Sequence, residues 1–497
     1  MSDLFISIEQ AESDLLAGAA YLGERIKSSD GHAEAMNAIV PRYLGKGDVD
    51  LAAELANAID DPFSRDKLLI IVAEKCADLD DDEYALQLAD AIEDVGMQAQ
   101  AFEWIGLVIA AKGHAERAAE VADSMANPDF VYAAIAINQA SSGNDAGSDK
   151  TLEQIEYATA RASALQQIAS AKIEKNETEK AVDLLDRAAA ATDEIEHDEE
   201  KIRALCEIGN LYVEAKRNDK AVETFDKARG FAEVLDNFHH DYFLVTCSLG
   251  FLFAGSSDLA DRTLDLVTDK TQIASALLGF ARDHWKKEEK DDAIDTLEEA
   301  YAILKSQRET ETRDSRARNG LLASIAAQFA GFGKSDRGVE TALEIQDPSE
   351  QTAALSQIAQ VLTIQKEDDL ARQAINSIAE DGDRLFALIS MSDAKEELEE
   401  PDAARSLLAE AATLAETVPQ LGLRSSALNE IAARFVRHGK NEEARNISLE
   451  NLHIISEIRD ESSQAVSLAH LSGIYEQANF ELTEPEKAII QSLTRKS

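Results

Sequence analysis

Two histidine-containing segments are the first places in this sequence where metal chemistry is conceivable. The run His239-His240-Asp241 offers two imidazoles and a carboxylate, a ligand set used by non-haem iron sites. Successive residues on a helix point about 100° apart, so these side chains would need further ligands from elsewhere. The run His197-Asp198-Glu199-Glu200 has the same weakness. We interpret the first as a polar turn between helical units and the second as a solvated helix–loop junction, and we predict no metal site.

Cysteine chemistry would rest on three residues, two of which occupy equivalent places. Cys206 and Cys247 each come three residues before a recurring small residue that is described below. Stacked helices would place them on the same side, but neighbouring helix axes lie ~8–10 Å apart, whereas a disulfide needs Cα atoms within about 7 Å. The favoured interpretation is that both are small packing residues, and the alternative is a redox or metal-binding pair. No surrounding His or Asp arrangement supports nucleophilic catalysis by either thiol.

Other catalytic and ligand-binding motifs are missing from the sequence. The acidic run at residues 78–83 lacks the alternating spacing and the central glycine of a calcium loop, so we interpret it as a solvated surface. The sequence contains no glycine-rich phosphate loop and no Gly-x-Ser-x-Gly motif. We therefore predict no catalytic residue, no cofactor and no enzymatic activity.

The elements that would position any site follow from an internal repeat. A small residue, here called the anchor, recurs with an apolar residue before it and, in most units, a second small residue twelve positions later. The anchors are Val40, Ala73, Gly106, Ala136, Ala169, Gly209, Gly250, Ala281, Ala326, Ala359, Ser392, Ala432 and Ser472. Their spacings are 33, 33, 30, 33, 40, 41, 31, 45, 33, 33, 40 and 40 residues.

This pattern predicts pairs of antiparallel helices that stack one after another. The apolar residues one and four positions before the anchor share a face of the first helix, and small residues let the second helix approach closely. Polar turns such as residues 216–219 separate the two helices. One pair cannot bury its apolar face alone, whereas stacking the next pair buries it. Spacings near 40 residues imply longer second helices or linkers.

The unit that runs from residue 204 to residue 228 resembles a tetratricopeptide repeat (TPR). The residues that fit this family's pattern of large, small and aromatic positions are Leu205, Ile208, Gly209, Tyr212, Ala221, Phe225 and Ala228. The resemblance covers roughly residues 30–480, although the helix-breaking proline near the end of a unit is mostly missing. It implies an all-α fold, a right-handed superhelical solenoid of about thirteen antiparallel helix pairs. The first helices would line its concave face.

The repeat also predicts the domain organisation. We expect N-terminal capping helices at residues 1–29, TPR-like helical repeats at residues 30–483 and a C-terminal capping helix at residues 484–497. Together they would form one elongated superhelix. The polar segment at residues 306–314 falls in the longest anchor spacing, and we interpret it as a helix end or a flexible joint.

A partner is expected to bind the central units, whose first helices carry an apolar and partly basic lining. The candidate partner-binding residues are Arg203, Asn210, Phe251, Arg282, Trp285 and Lys286. Aromatic and arginine side chains are frequent binding anchors, so a peptide or helix would fit this groove. The alternative is that the two aromatic residues belong to the core between repeats. A TPR-type carboxylate clamp is not predicted, because Cys206 and Glu214 stand where it needs lysines.

The charge balance limits the class of partner. The chain has 49 basic and 95 acidic residues, a net charge of −46, which repels nucleic acid and anionic membranes. Either salt adaptation or a basic partner would explain this acidity. Without a recognisable targeting signal we expect a cytoplasmic protein. We predict a non-catalytic protein–protein interaction scaffold or adaptor, and the alternatives are a ligand-sensing solenoid with a pocket in its groove or a subunit of an enzyme complex.

Overall fold

The computed structural model describes residues 4–306 and 315–495. All regular structure in these two ranges is helical, with 28 α-helices, one short 3-10 helix and no strand. The predicted all-α fold class is therefore confirmed. Of the polar segment at residues 306–314, only Ser306 lies within the described residues.

Two types of helix alternate along the chain after two initial helices, α1 (Ile8–Ala11) and α2 (Leu15–Gly23). Each first helix of a pair, here called an A helix, contains one anchor. The A helices are α3 (Ser29–Lys46), α5 (Pro62–Asp78), α7 (Val95–Ala111), α9 (Asp129–Ser141), α11 (Ala158–Glu174), α13 (Asp198–Glu214), α15 (His240–Phe253), α17 (Lys270–Lys286), α19 (Ser315–Gly331), α21 (Pro348–Ile364), α23 (Asp381–Glu397), α25 (Leu421–Arg437) and α27 (Glu461–Ala478).

The second helices, here called B helices, follow the polar turns. They are α4 (Val49–Asn57), α6 (Asp82–Asp90), α8 (Ala115–Asp123), α10 (Asp145–Leu152), α12 (Thr178–Ala191), α14 (Asn218–Ala232), α16 (Ser257–Leu264), α18 (Lys290–Ser306), α20 (Ser335–Leu343), α22 (Asp368–Asn376), α24 (Pro401–Ala415), α26 (Asn441–Glu457) and α28 (Glu484–Arg495). The 3-10 helix (Thr192–Glu194) extends α12.

The length of the B helix accounts for the spacing of the repeats. Where two anchors are 30–33 residues apart, the B helix between them has eight or nine residues. Where they are 40–45 residues apart, the B helix has 14–17 residues. The prediction that long spacings reflect long second helices is confirmed.

Small residues are buried where the A and B helices of a pair meet. Anchors such as Ala169 and Ala432 have no exposed surface. At Gly209 the neighbouring space is filled by a ring and not by a helix backbone, because a Cβ there would lie 2.6 Å from ring carbons of the buried Phe225. The same ring also abuts Gly250. We expected small anchors to let two helix backbones approach each other. At Gly209 and Gly250 this explanation is wrong, because the small residue makes room for the ring of Phe225.

The chain forms two compact units. Unit 2 comprises Gly106–Ile358, and unit 1 comprises Met1–Ile105 together with Ala359–Ser497. Within unit 2, α9, α11, α13, α15, α17 and α19 contact one another in chain order, and each of them contacts its own B helix. Unit 2 is thus a stack of helical pairs in which each pair is buried by its neighbours.

In unit 1, the first and last helices of the described chain pack against each other. α27 contacts α2 and α3, and α28 contacts α1 and α2. Leu16, Leu468 and Ile490 are completely buried there. Arg495 also donates to both carboxylate oxygens of Glu12, at 2.6 and 3.0 Å. The segments predicted as two separate caps therefore contain helices that bury their apolar faces on one another.

Candidate functional site

The exposed side chains of three neighbouring A helices in unit 2 form the candidate surface. α13 contacts α15, and α15 contacts α17. On each helix the residues that remain exposed or half-exposed recur at three-, four- or seven-residue intervals, as expected for one helix face. These residues, here called the central A-helix surface, are Arg203, Glu207, Asn210, Glu214, Tyr242, Thr246, Leu249, Phe253, Ser275, Arg282 and Lys286.

The basic residues predicted from the sequence lie on this surface. Arg203, Arg282 and Lys286 are exposed, as is Asn210. When the Gln328 amide is oriented with its oxygen toward Arg282, that oxygen accepts from Nε at 2.7 Å and from Nη2 at 2.9 Å. Because this partner is neutral, the contact orients the guanidinium without cancelling its charge.

Glu207 is one of two acidic residues on this surface. Burial raises the pKa of Glu207, and the positive charge of Arg203 opposes that rise. The central A-helix surface therefore combines cations with carboxyl groups.

Phe251 does not belong to this surface, which corrects the prediction. Its side chain has no exposed area, and its ring packs edge-on against Phe225 with centroids 6.0 Å apart. Leu244 and Cys247, which share its stripe, are also fully buried. Relative to its anchor, α15 therefore turns a different face outward than α13 does. Phe251 belongs to the core between repeats, which was the alternative interpretation.

Two exposed aromatic residues were missed by the sequence analysis for the same reason. Tyr242 is 49% exposed and Phe253 is 46% exposed, both on the outward face of α15. Because α15 is apolar on nearly all sides, its sequence has no polar stripe to indicate which face points outward.

Trp285 is half-buried and already has an aromatic partner. Its ring stacks on Phe332, with centroids 4.4 Å apart and planes at 11°. Nζ of Lys290 lies 5.3 Å from the centroid of the indole ring, within cation–π distance. Trp285 thus joins α17 to the turn before α20, and only its remaining surface is open to a partner.

The cysteine pair is packed in the core. Sγ of Cys206 and Sγ of Cys247 are 3.8 Å apart, both side chains are buried, and both thiols are free. The contact with the Cys206 thiol and burial together raise the pKa of Cys247 well above its usual value. A raised pKa disfavours the reactive thiolate, which agrees with the interpretation as packing residues.

The histidine-containing segment at the start of α15 forms a polar contact between repeats. His240 Nδ1 lies 2.7 Å from Oδ1 of Asp241. Oδ2 of the same carboxylate accepts the backbone N–H groups of Thr268 and Asp269, at 2.9 and 2.6 Å. Both carboxylate oxygens of Asp241 thus have partners, and one of them joins consecutive helical pairs. This contact fits the interpretation of the run as a polar segment between repeats.

A small-molecule pocket in the groove was the alternative to a partner surface, and a cavity lies elsewhere in unit 2. A cavity of about 440 Å³ lies between α10 and α12, over Ile168 and Leu184. Two of the cations that line it are paired with lining carboxylates: Lys172 contacts Asp145 at 3.0 Å, and Arg187 contacts Asp149 at 2.8 Å. These cations are therefore not free to bind an anionic ligand.

Comparison with known proteins finds similar solved structures, all at low sequence identity. Neither a protein-family model nor a curated protein sequence matches this chain. The chain is similar in structure to Ton1535 from Thermococcus onnurineus NA1, at 17% identity and a TM-score of 0.26 over 71% of this chain and 97% of that one. Within the described residues, no helix has both the length and the apolar composition needed to cross a bilayer.

Two further solved structures are also similar to this chain. TPR-like repeats of a kinesin light chain from Podosopora anserina share 15% identity and a TM-score of 0.24 over 46% of this chain and 100% of that one. A Rap protein complexed with Competence and Sporulation Factor shares 12% identity and a TM-score of 0.27 over 64% and 97%.

Proposed function

We propose that this protein is a non-catalytic interaction scaffold that binds an amphipathic segment of a partner protein on the central A-helix surface. The observation that carries the proposal is the exposure of Tyr242 and Phe253 on α15, between basic residues of α13 and α17. Large aromatic side chains that are half-exposed on a rigid helix are typical binding anchors. The surrounding cations favour a segment that also carries a carboxylate.

The expected mode of binding is a helix or extended peptide laid across three A helices. Its apolar side chains would cover Phe253 and Tyr242, and burying one such ring contributes about 1.5–3 kcal/mol. A carboxylate of the partner would pair with Arg282, which Gln328 already orients.

The test is a peptide selection against the full-length protein. A displayed peptide library is selected on the wild-type chain, without counter-selection, and the recovered peptides are measured by fluorescence anisotropy. We expect Phe253→Ala and Arg282→Glu each to weaken binding at least tenfold. Phe63→Ala is the matched control, because Phe63 is a 68% exposed ring on α5 in unit 1.

Two outcomes would reject the proposed surface. One is that the selected peptides bind the Phe253→Ala variant as tightly as the wild type. The other is that Phe63→Ala weakens binding to the same extent. A basic partner attracted by the net charge of −46 is the competing explanation, and it predicts association rates that fall steeply with salt and are insensitive to Phe253→Ala.

A further inference from the structure

Three potential metal ligands meet where α17 ends and α18 begins. They are His284, Glu289 and Asp292, and one ligand atom from each lies within 4.8 Å of the others. Nδ1 of His284 is 2.7 Å from Oε2 of Glu289. One imidazole nitrogen with two carboxylate oxygens is a donor set that suits Zn²⁺ and the neighbouring divalent transition metals.

The backbone of the turn holds two of these ligands together. The N–H of Glu289 donates to the carbonyl of His284 at 2.9 Å, closing the end of α17. Glu288, between them, has a φ of 64°, which reverses the chain direction. Asp292 follows Glu289 by three residues at the start of α18, so both carboxylates lie on the same face of that first turn.

The same positions in two other pairs form an ion-paired turn without a histidine. Lys172 and Lys395 stand three residues after their anchors, where this turn has His284. Lys395 lies 2.8 Å from Glu400, and Lys172 lies 3.9 Å from Glu177, both glutamates occupying the position of Glu289. An ammonium ion has no lone pair, whereas imidazole can donate one to a metal.

The third ligand position also differs among these three turns. Where the α17–α18 turn has Asp292, the turn before α12 leads to Lys180 and the turn before α24 leads to Ala403. The α17–α18 turn therefore replaces a lysine by a metal-binding side chain and adds a second carboxylate. A divalent cation would supply the positive charge that the lysine ammonium supplies in the other two turns.

We propose that His284, Glu289 and Asp292 bind a divalent transition-metal ion of the Zn²⁺ type. The metal would replace the direct contact between His284 and Glu289. The two carboxylates are exposed, so their side chains can rotate to bring all three ligand atoms to bonding distance. The bound ion would cross-link the end of α17 to α18, next to Trp285. Water would complete its coordination shell.

Trp285 provides a local reporter for this site. The chain has two tryptophans, so Trp104→Phe leaves Trp285 as the single one. Tag-free full-length protein is titrated with Ni²⁺, which quenches indole fluorescence at short range, and Zn²⁺ is then added as a competitor. We expect saturable quenching that Zn²⁺ reverses and that millimolar Mg²⁺ does not, because Mg²⁺ prefers an all-oxygen octahedron. Calorimetric titration of the wild-type chain with Zn²⁺ gives a measurement that does not depend on the Trp104 substitution.

Matched variants separate a built site from diffuse surface charge. Asp292→Asn and His284→Gln should each weaken Ni²⁺ and Zn²⁺ binding at least tenfold, with unchanged circular dichroism. Asp291→Asn removes the same charge from the adjacent residue and should bind as the wild type does. Equal weakening by the two aspartate variants, or quenching and heat that never saturate, would overturn the proposal.

Discussion

Phe225 shows how one ring sets the size of residues in two other helices. The ring projects from α14 and lies against Gly209 of α13 and Gly250 of α15. It has no exposed surface and packs edge-on against Phe251. A methyl group at either glycine would compete with the ring for the same space. Phe225 therefore limits the size of both anchors. It lies sixteen residues after Gly209 and twenty-five residues before Gly250.

Gly209→Ala should destabilise the protein. Alanine gains about 0.5–1 kcal/mol over glycine in a helix, but overpacking against Phe225 costs about 1–3 kcal/mol. Gly230→Ala in α14 is the control, since a Cβ there would meet no atom within 4 Å, and it should stabilise by about 0.5–1 kcal/mol. Denaturant unfolding followed by circular dichroism measures both. Equal stability of the two variants would contradict the role given to the ring.

The three thiols should be unreactive in the folded protein. Burial and nearby aspartates raise the pKa of Cys76 to about 11, so the thiolate fraction at pH 8 is about one in a thousand. The pKa of Cys247 is raised by the Cys206 thiol and by burial. Alkylation at pH 8 followed by mass spectrometry should show slow labelling in buffer and complete labelling in denaturant. Rapid modification of the folded chain would contradict this burial.

At the scale of the helices, two cavities lie where a short B helix is followed by a long one. The short α10 is followed by the long α12, and a cavity of about 440 Å³ lies between them. In unit 1, the short α22 is followed by the long α24, with a cavity of about 500 Å³. The anchor spacings predict where these steps occur, because they predict the helix lengths.

Buried aspartates join consecutive A helices, and the repeat pattern did not reveal them. Asp66 of α5 accepts the two backbone N–H groups that precede α7, at 3.2 and 3.0 Å. Asp129 of α9 accepts the two that precede α11, at 3.1 and 2.7 Å. Asp241 of α15 does the same before α17. In a chain with 95 acidic residues, no single aspartate could be singled out from the sequence.

Asp129→Asn should destabilise the stack of α9 and α11. The carboxylate, 3% exposed, offers an oxygen to each of two N–H groups, whereas an amide would turn its NH₂ toward one of them. A buried donor left without an acceptor costs about 1–3 kcal/mol. Asp198→Asn, an exposed residue at the start of α13, removes the same charge and should change stability little. If both variants lost a similar amount of stability, the effect would come from the change in net charge and not from the hydrogen bonds of Asp129.

The attachment of α28 depends on one buried carboxylate. Glu486 is 1% exposed and accepts from the Tyr475 hydroxyl at 2.7 Å and from Arg445 at 3.0 Å. Burial alone would raise the pKa of Glu486, but the hydrogen bonds from Thr483 and Tyr475 and the charge of Arg445 lower it overall. Its contribution to stability is therefore complete above the unfolded pKa and is lost as the pH falls through the lowered folded pKa.

Glu486→Gln should weaken α28 at neutral pH and remove part of its acid sensitivity. In the wild type, the protection factors of α28 amides, which correct for the intrinsic pH dependence of exchange, should fall below about pH 4.3, the usual glutamate pKa, whereas those of the variant should be lower already at pH 7. Glu484→Gln is the control on the same helix, because Glu484 is exposed. The assignment fails if Glu484→Gln and Glu486→Gln have the same pH profile.

At the scale of the whole molecule, the local repeat was predictable and the contact between the first and last helices was not. The anchor pattern relates residues within a pair and between neighbouring pairs, because helical periodicity is local. Glu12 and Arg495 are 483 residues apart, and no periodicity connects them. The sequence of α2 nevertheless indicates a helix that is covered on all sides, because its nine residues contain no charged side chain. In the structure all nine are buried.

Removing α28 should therefore loosen α2, at the opposite end of the sequence. Without residues 484–497, Leu16 and its neighbours lose the partner side chain of Ile490, so α2 should open more readily. Hydrogen exchange of the truncated chain should accelerate at least tenfold in α2 and remain unchanged in α14, which belongs to unit 2. Arg495→Glu, which reverses one charge of the Glu12 ion pair but keeps the apolar contact, should give a smaller acceleration. If exchange in α2 were unaffected by the truncation, its burial would not depend on α28, and its contacts with α1, α3 and α27 would suffice.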